Sequence, residues 1–268
     1  MDTVLDTGTD KLLAHVEDGI GWITFNDPAT RNSLSAEVRA ALPRALRALA
    51  GDDAARVVVV TGAGGKAFVS GANIAEFGEQ RTTPEARAAY DRASADTARA
   101  WSELEKPVIA MIRGYCIGGG LLMAMQADIR IASEDSQFGI PAARLGLGYG
   151  FGGVAALLEL VGPALAAEML YSARRLSAAE ALHAGLVNRV VPSDQLEDQV
   201  RALARQIAAN APLTVRACKV ALTEARREPE RRDVDRVHEL VEECFRSEDY
   251  LEGQRAFLEK RDPRFTGR

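Results

Sequence analysis

Residues 114–128, GYCIGGGLLMAMQAD, set Gly118, Gly119 and Gly120 directly before an apolar run that reads as the start of a buried helix. The first amides of a helix have no intrahelical acceptor, and the helix dipole adds positive potential at that end. Glycine removes the side chains that would hold a ligand away from that backbone. Such a turn suits a carbonyl oxygen that becomes an oxyanion, although the same glycines would also serve a close helix crossing. A second turn favours chemistry. Residues 57–77, VVVVTGAGGKAFVSGANIAEF, run from a β-branched stretch through a glycine turn and a short strand to Ser70-Gly71-Ala72-Asn73. Asn73 and Glu76 have the spacing of a capping box, which predicts that Asn73 caps a helix. The Ala72 amide then sits at a strand-to-helix turn and can face a ligand.

The elements that must position these turns are legible around them. HVEDGIGWITFN (15–26) alternates about Asp18-Gly19 and predicts a β-hairpin. Residues 36–50 read as an Ala/Leu/Arg helix kinked at Pro43. Val57–Thr61, Phe68–Ser70, Val108–Ile112, Ile129–Ala132 and Val187–Val191 read as short buried strands between helical stretches, hence a largely parallel α/β arrangement. Ser177 and Glu180 form a capping box for a helix stopped by Gly185. From Ser193 the pattern turns helical, over 194–209, 213–227, 231–246 and 248–260, with a domain boundary expected near residue 198.

Composition narrows the function classes. A chain of 268 residues, 47% hydrophobic and 26% charged, has the balance of a globular enzyme. Its formal net charge is −5 with no basic stripe, which argues against nucleic acid. The apolar stretch Cys116–Ala127 is about half a membrane span and is broken by glycines, and the N-terminus carries no apolar signal core. Cys116, Cys218 and Cys244 are far apart and lack metal-ligand spacing, so reduced thiols, no metal and a cytoplasmic location are expected. Gly148-Tyr-Gly150-Phe-Gly152-Gly153 satisfies G-x-G-x-x-G. The adjoining VAALLELVGPALAAEML reads as helical throughout, so a dinucleotide site is rejected and the glycines are expected to shape a loop over a pocket.

The two turns, together with DPATRNSLS (27–35), KPVIAMIRGYCIGGG (106–120), QFGIPAARLGL (137–147), LSAAEALHAGLVNRVV (176–191) and SEDYLEGQRAFLEKRDPRF (247–265), resemble the enoyl-CoA hydratase/isomerase (crotonase) superfamily. The resemblance implies a crotonase-type ββα spiral core over residues 1–198. It also implies a helical C-terminal domain over 199–268 that builds trimers, often paired into hexamers. The implied substrate is an acyl-CoA, with CoA part of that substrate and no separate cofactor. The amides of Ala72 and Gly119 would form an oxyanion hole. Arg31 and the stretch Ala72, Asn73, Ile74 and Ala75 would lie along the CoA, and Phe257 and Lys260 could reach the CoA of a neighbouring subunit. Ala75 stands where many relatives carry lysine.

Hydratases of this family carry one glutamate two residues after the glycine run and another after the proline of the QFGxP segment. This chain has Leu122 and Ala142 there, so both would line the acyl pocket without moving protons. No carboxylate stands between Tyr115 and Asp128, and between Ile140 and Val154 the ionisable residues are Arg144 and Tyr149. Addition of water needs a base and an acid, and neither is expected locally. LGLGYGFGG (145–153) resembles the corresponding loop of methylmalonyl-CoA decarboxylases, which places Tyr149 on their active-site tyrosine, although the histidine of their oxyanion turn is Ala72 here. The reading is therefore a lyase-type enzyme that stabilises a thioester enolate without paired glutamates. A malonyl-type CoA decarboxylase using Tyr149 and a catalytically silent acyl-CoA-binding protein stand beside it as alternatives.

Overall fold

Val57, Val58, Val59 and Val60 are all fully buried on one strand, so both faces of that strand must be covered. The computed structural model describes residues 3–73, 76 and 83–268. Its strands are Thr3–Leu5 (β1), Leu12–Glu17 (β2), Ile20–Phe25 (β3), Val57–Gly62 (β4), Ala67–Val69 (β5), Val108–Ile112 (β6), Tyr115–Ile117 (β7), Ile129–Ser133 (β8), Gln137–Gly139 (β9), Arg175–Ser177 (β10) and Arg189–Val191 (β11). Its α-helices are Ala36–Gly51 (α1), Pro84–Glu103 (α2), Gly119–Gln126 (α3), Phe151–Ser172 (α4), Ala178–His183 (α5), Leu196–Ala208 (α6), Pro212–Ala225 (α7), Val234–Arg246 (α8) and Glu248–Glu259 (α9).

A seven-stranded sheet runs β1-β2-β3-β4-β6-β8-β11, and a four-stranded sheet runs β10-β9-β7-β5. The pairings from β3 to β11 are parallel, as expected for strands joined by crossovers. Each turn of the chain sends one strand to each sheet and then a helix: β4-β5-α2, β6-β7-α3, β8-β9-α4. This is the ββα spiral. The hairpin forms at Asp18 and Gly19, both with positive φ (52° and 79°), the conformation that matches the twist of the flanking strands. Helix α1 continues through Pro43 to Gly51, and β11 starts at Arg189, with Leu186 and Val187 buried ahead of it.

Period-two alternation splits the large sheet's side chains between two cores. Val58, Val60, Ala110 and Ile112 face α1, where Leu42, Leu46 and Leu49 meet them. Val57, Val59, Ile109 and Met111 face the other way, onto Leu196, Val200, Ala204 and Ala208 of α6. Those four positions recur every fourth residue and form one stripe of that helix. The expected boundary at 198/199 thus falls inside a helix that belongs to the sheet, and the separate helical part begins with α7.

Helices α7 and α8 share a small core of Ala217, Val220 and Leu240. Around it Leu222, Phe245, Phe257 and Leu258 stay exposed, Phe257 at 83%. The chain end is tied back by the buried Asp249 carboxylate, which accepts the Thr266 and Gly267 amides at 2.7 and 2.8 Å. Arg56 donates to the carbonyls of Ala208 and Phe265, linking that tail to the sheet. Helix α4 is a longer apolar segment than the Cys116–Ala127 stretch. By length and composition alone it could cross a membrane. It is broken at Gly162 (φ 75°, ψ 168°), and its Glu159 is paired at 2.6 Å with Arg226, the residue that caps the end of α7.

Candidate active site

The two glycine turns follow β5 and β7, paired parallel strands of the four-stranded sheet, and meet at the ends of those strands. Gly118 caps α3 with φ 54° and ψ −116°, and Gly71 has φ 106°, backbone that side-chain-bearing residues rarely adopt. A Cβ on Gly120 would fall 2.1 Å from the Val69 carbonyl oxygen, so only glycine lets α3 start this close to β5. Gly119 is the first residue of α3, where the amide has no intrahelical acceptor.

Ala72 forms an isolated parallel bridge with Leu34. The Leu34 N–H donates to the Gly71 carbonyl at 2.8 Å, and the Asn73 N–H donates to the Leu34 carbonyl at 3.4 Å. Both ladder bonds use the neighbours of Ala72, so Ala72 turns its own N–H and C=O away from Leu34. A Cβ built on Gly119 would sit 3.7 Å from the Ala72 nitrogen, which puts the two amide turns side by side. The Ala72 turn is fastened on both flanks. Ser70 donates its amide to Arg31 and its hydroxyl to Thr30, both at 3.1 Å. Asn73 Nδ2 donates to Glu76 Oε1 at 2.9 Å, and Glu76 Oε2 accepts the Ala36 amide at the start of α1, also at 2.9 Å. Asn73 and Glu76 are thus joined side chain to side chain, with the Glu76 amide on the Asn73 carbonyl at 3.1 Å and the Asn73 amide spent on Leu34, instead of by the reciprocal bonds of the capping box that the spacing predicts; the helix expected after it, and with it Ile74 and Ala75, lie outside the described residues.

Both turns line a cavity of about 560 Å³ whose wall includes Leu122, Ala142 and Tyr149. Leu122 Cδ2 and Tyr149 Cε1 each lie 2.8 Å from where a Cβ on Gly153 would be, so that glycine gives both side chains their room. The Tyr149 hydroxyl is buried and, among the described residues, has no hydrogen-bond partner. Burial, with Tyr90 adding to it, pushes its pKa up, so the phenol stays protonated. Gly150 caps α4, and a 3-10 turn over Pro141–Leu145 precedes it. Cys116 on β7 is wholly buried, and that burial pushes its thiol pKa up; a nucleophilic thiolate is disfavoured there.

One expectation is corrected by helix α2. Arg87, Tyr90, Asp91 and Ser94 also line the cavity, so a carboxylate is present where the sequence leads one to expect none. These residues recur at i, i+3, i+4 and i+7, the spacing of a single helical face. That spacing is visible in RAAYDRAS, but a charged helix far from the glycine motifs reads as a solvated one. Arg31 adopts the left-handed conformation (φ 57°) and stacks on Tyr115, 5.5 Å from the ring centroid, in a separate small cleft with Lys66. Phe257 and Lys260, on and just after α9, do not line the cavity of their own chain.

The enoyl-CoA hydratase/isomerase family model matches residues 15–268. The chain belongs to that family. Crotonyl-CoA hydratase of Syntrophomonas wolfei is 35% identical to this family member, over 97% of this chain and 99% of its own length. Carnitinyl-CoA dehydratase of Salmonella enteritidis is 36% identical, over 92% of this chain and 94% of its own. A crystal structure of an enoyl-CoA hydratase/carnithine racemase from Magnetospirillum magneticum superposes with a TM-score of 0.90 at 34% identity, covering 97% of each chain. The spiral core and the helical C-terminal region are thus shared with solved members of the enoyl-CoA hydratase/isomerase family.

Proposed function

We propose that this family member binds an acyl-CoA and stabilises its thioester enolate between the amides of Ala72 and Gly119. The observation that carries the reading is the side-by-side placement of those turns at one cavity, with a Gly119 Cβ position 3.7 Å from the Ala72 nitrogen. Preorganised donors aimed at developing charge act without reorganising, and losing one typically costs ~3 kcal/mol. Leu122 and Ala142 hold the positions of the hydratase glutamates, so the chemistry is lyase-type but not that of a two-glutamate hydratase. The names of the relatives support an acyl-CoA substrate. Arg31 and the 72–75 stretch are proposed to follow the CoA, and Phe257 and Lys260 to reach the CoA of a neighbouring subunit. The apolar side chains left exposed on α7 to α9 support a homotrimer or hexamer.

The binding test is ligand linkage. Butanoyl-CoA at a hundredfold excess over Kd is expected to stabilise the fold by roughly 3 kcal/mol, read as a rise in melting temperature, with no shift from NADH. No shift with any acyl-CoA would remove the site assignment. Binding that saturates while a panel of CoA esters yields no product would make the chain a silent acyl-CoA binder.

A second reading is favoured by the buried Tyr149 hydroxyl, which has no hydrogen-bond partner among the described residues. It can hold the carboxylate of a malonyl-type ester out of the thioester plane. The C–C bond then breaks, its electrons enter the enolate, and CO₂ departs without a base. Tyr149→Phe is expected to slow CO₂ release from methylmalonyl-CoA by ~10-fold with CoA affinity retained. Release no faster than in buffer ends this second reading.

A further inference from the structure

The family's glutamate positions are apolar here, yet the cavity is not without a carboxylate. Helix α2 carries two aspartates with different surroundings. Asp96 pairs with Arg47 of α1 at 2.7 Å. Asp91 stands on the cavity face between Arg87 and Ser94 and, among the described residues, makes no hydrogen bond or ion pair. Arg87, one turn earlier, is likewise unpaired among the described residues, so the two have not neutralised each other. Asp91 is therefore not a strut of the fold. It is the one carboxylate among the described residues lining the cavity, whose lining also includes the apolar Leu122 and Ala142. It is exposed, so its carboxylate is open to water and to a bound acyl chain. The protonated Tyr149 hydroxyl lines the same space and can hold a water or a substrate oxygen, but it is a poor base.

We propose that Asp91 is the proton-transferring group of this site, a role that rests on the acyl-CoA reading above. Its carboxylate takes a proton from C2 of the bound acyl group. The C–H electron pair becomes the C1–C2 π bond, and the former carbonyl π pair moves onto the oxygen held by the Ala72 and Gly119 amides. Return of a proton from the Asp91 carboxylic acid to C2 restores the ester. The substrates this favours are acyl-CoAs whose reaction begins or ends with a proton at C2.

Exchange of the C2 protons of butanoyl-CoA for deuterium in D₂O, followed by proton NMR, isolates this step because it requires neither hydration nor cleavage. The wild-type protein is expected to exchange them well above the protein-free rate. Asp91→Asn, which keeps the side chain's shape, is expected to lower the rate by ~10²-fold or more. Asp96→Asn removes an exposed pair and is expected to leave the rate unchanged. Melting curves with and without butanoyl-CoA accompany each variant, so folding and binding are read separately. Undiminished exchange in a folded, ligand-binding Asp91→Asn variant overturns the assignment. So does a wild-type protein that binds butanoyl-CoA without exchanging it. Absence of binding by the wild type instead refutes the acyl-CoA reading itself, and Asp91's role with it.

Discussion

Gly119→Pro is expected to lower turnover of a CoA thioester by about 10²–10³-fold while the protein stays folded. Proline deletes the Gly119 N–H, one of the two proposed donors. The first helical position is the place in a helix that best tolerates proline, because its amide has no intrahelical partner to lose. Gly119→Ala separates the amide from the side chain: it keeps the N–H and adds only a Cβ. That Cβ falls 2.9 Å from Leu34 Cδ1, the end of a side chain that can move aside. The alanine variant should therefore retain turnover within about tenfold of wild type, since a modest overpacking strain is its main cost. Steady-state kcat with melting curves on both variants checks the pair. Equal loss in both would mean that space, not the amide, matters at Gly119.

Installing Leu122→Glu and Ala142→Glu together is expected to raise hydration of crotonyl-CoA by ~10²-fold or more over wild type. Hydration needs one group to take a proton from water and another to deliver one to C2. Both substituted positions already line the cavity. The opposing effect is desolvation, since Leu122 and Ala142 are partly buried against the core and a buried carboxylate costs free energy unless hydrogen-bonded. A lower melting temperature should thus accompany the gain. Loss of enoyl absorbance reports the rate. A folded double variant no faster than wild type would show that the missing glutamates do not limit this chemistry.

The features readable in the sequence are those in which local chemistry dictates the structure. Asp18-Gly19 can close a two-residue hairpin, and it does. Ser177 and Glu180 make the reciprocal capping box, with the Ser177 hydroxyl accepting the Glu180 amide and Glu180 accepting the Ser177 amide. The β-branched strands appear where the runs of valine and isoleucine stand. Less legible were features fixed by distant partners. Strands of three residues such as β1 and β10 owe their existence to the pairing of Leu5 with Ala14 and of Leu176 with Phe138. Helix α6 reads in sequence like the helices that follow it, while its stripe reveals its partner only when the sheet lies beneath it. In the candidate site, the turns at Ala72 and Gly119 are legible because glycine motifs mark backbone that must come close. The cavity-lining position of Asp91 is not legible, because it reaches the cavity from a helix whose charged residues resemble a solvated face.

The most direct test of the proposed oxyanion site reads the thioester carbonyl itself. Butanoyl-CoA labelled with ¹³C at C1 reports polarisation of that carbonyl by NMR, independently of any later chemical step. Donors at Ala72 and Gly119 draw electron density toward the oxygen, so the bound C1 resonance is expected to move downfield of the free ester. In Gly119→Pro, saturated with the same ligand, most of that displacement should vanish, and in Gly119→Ala it should remain. A bound ester whose C1 resonance stays at its position in water would contradict an oxyanion site at these two amides.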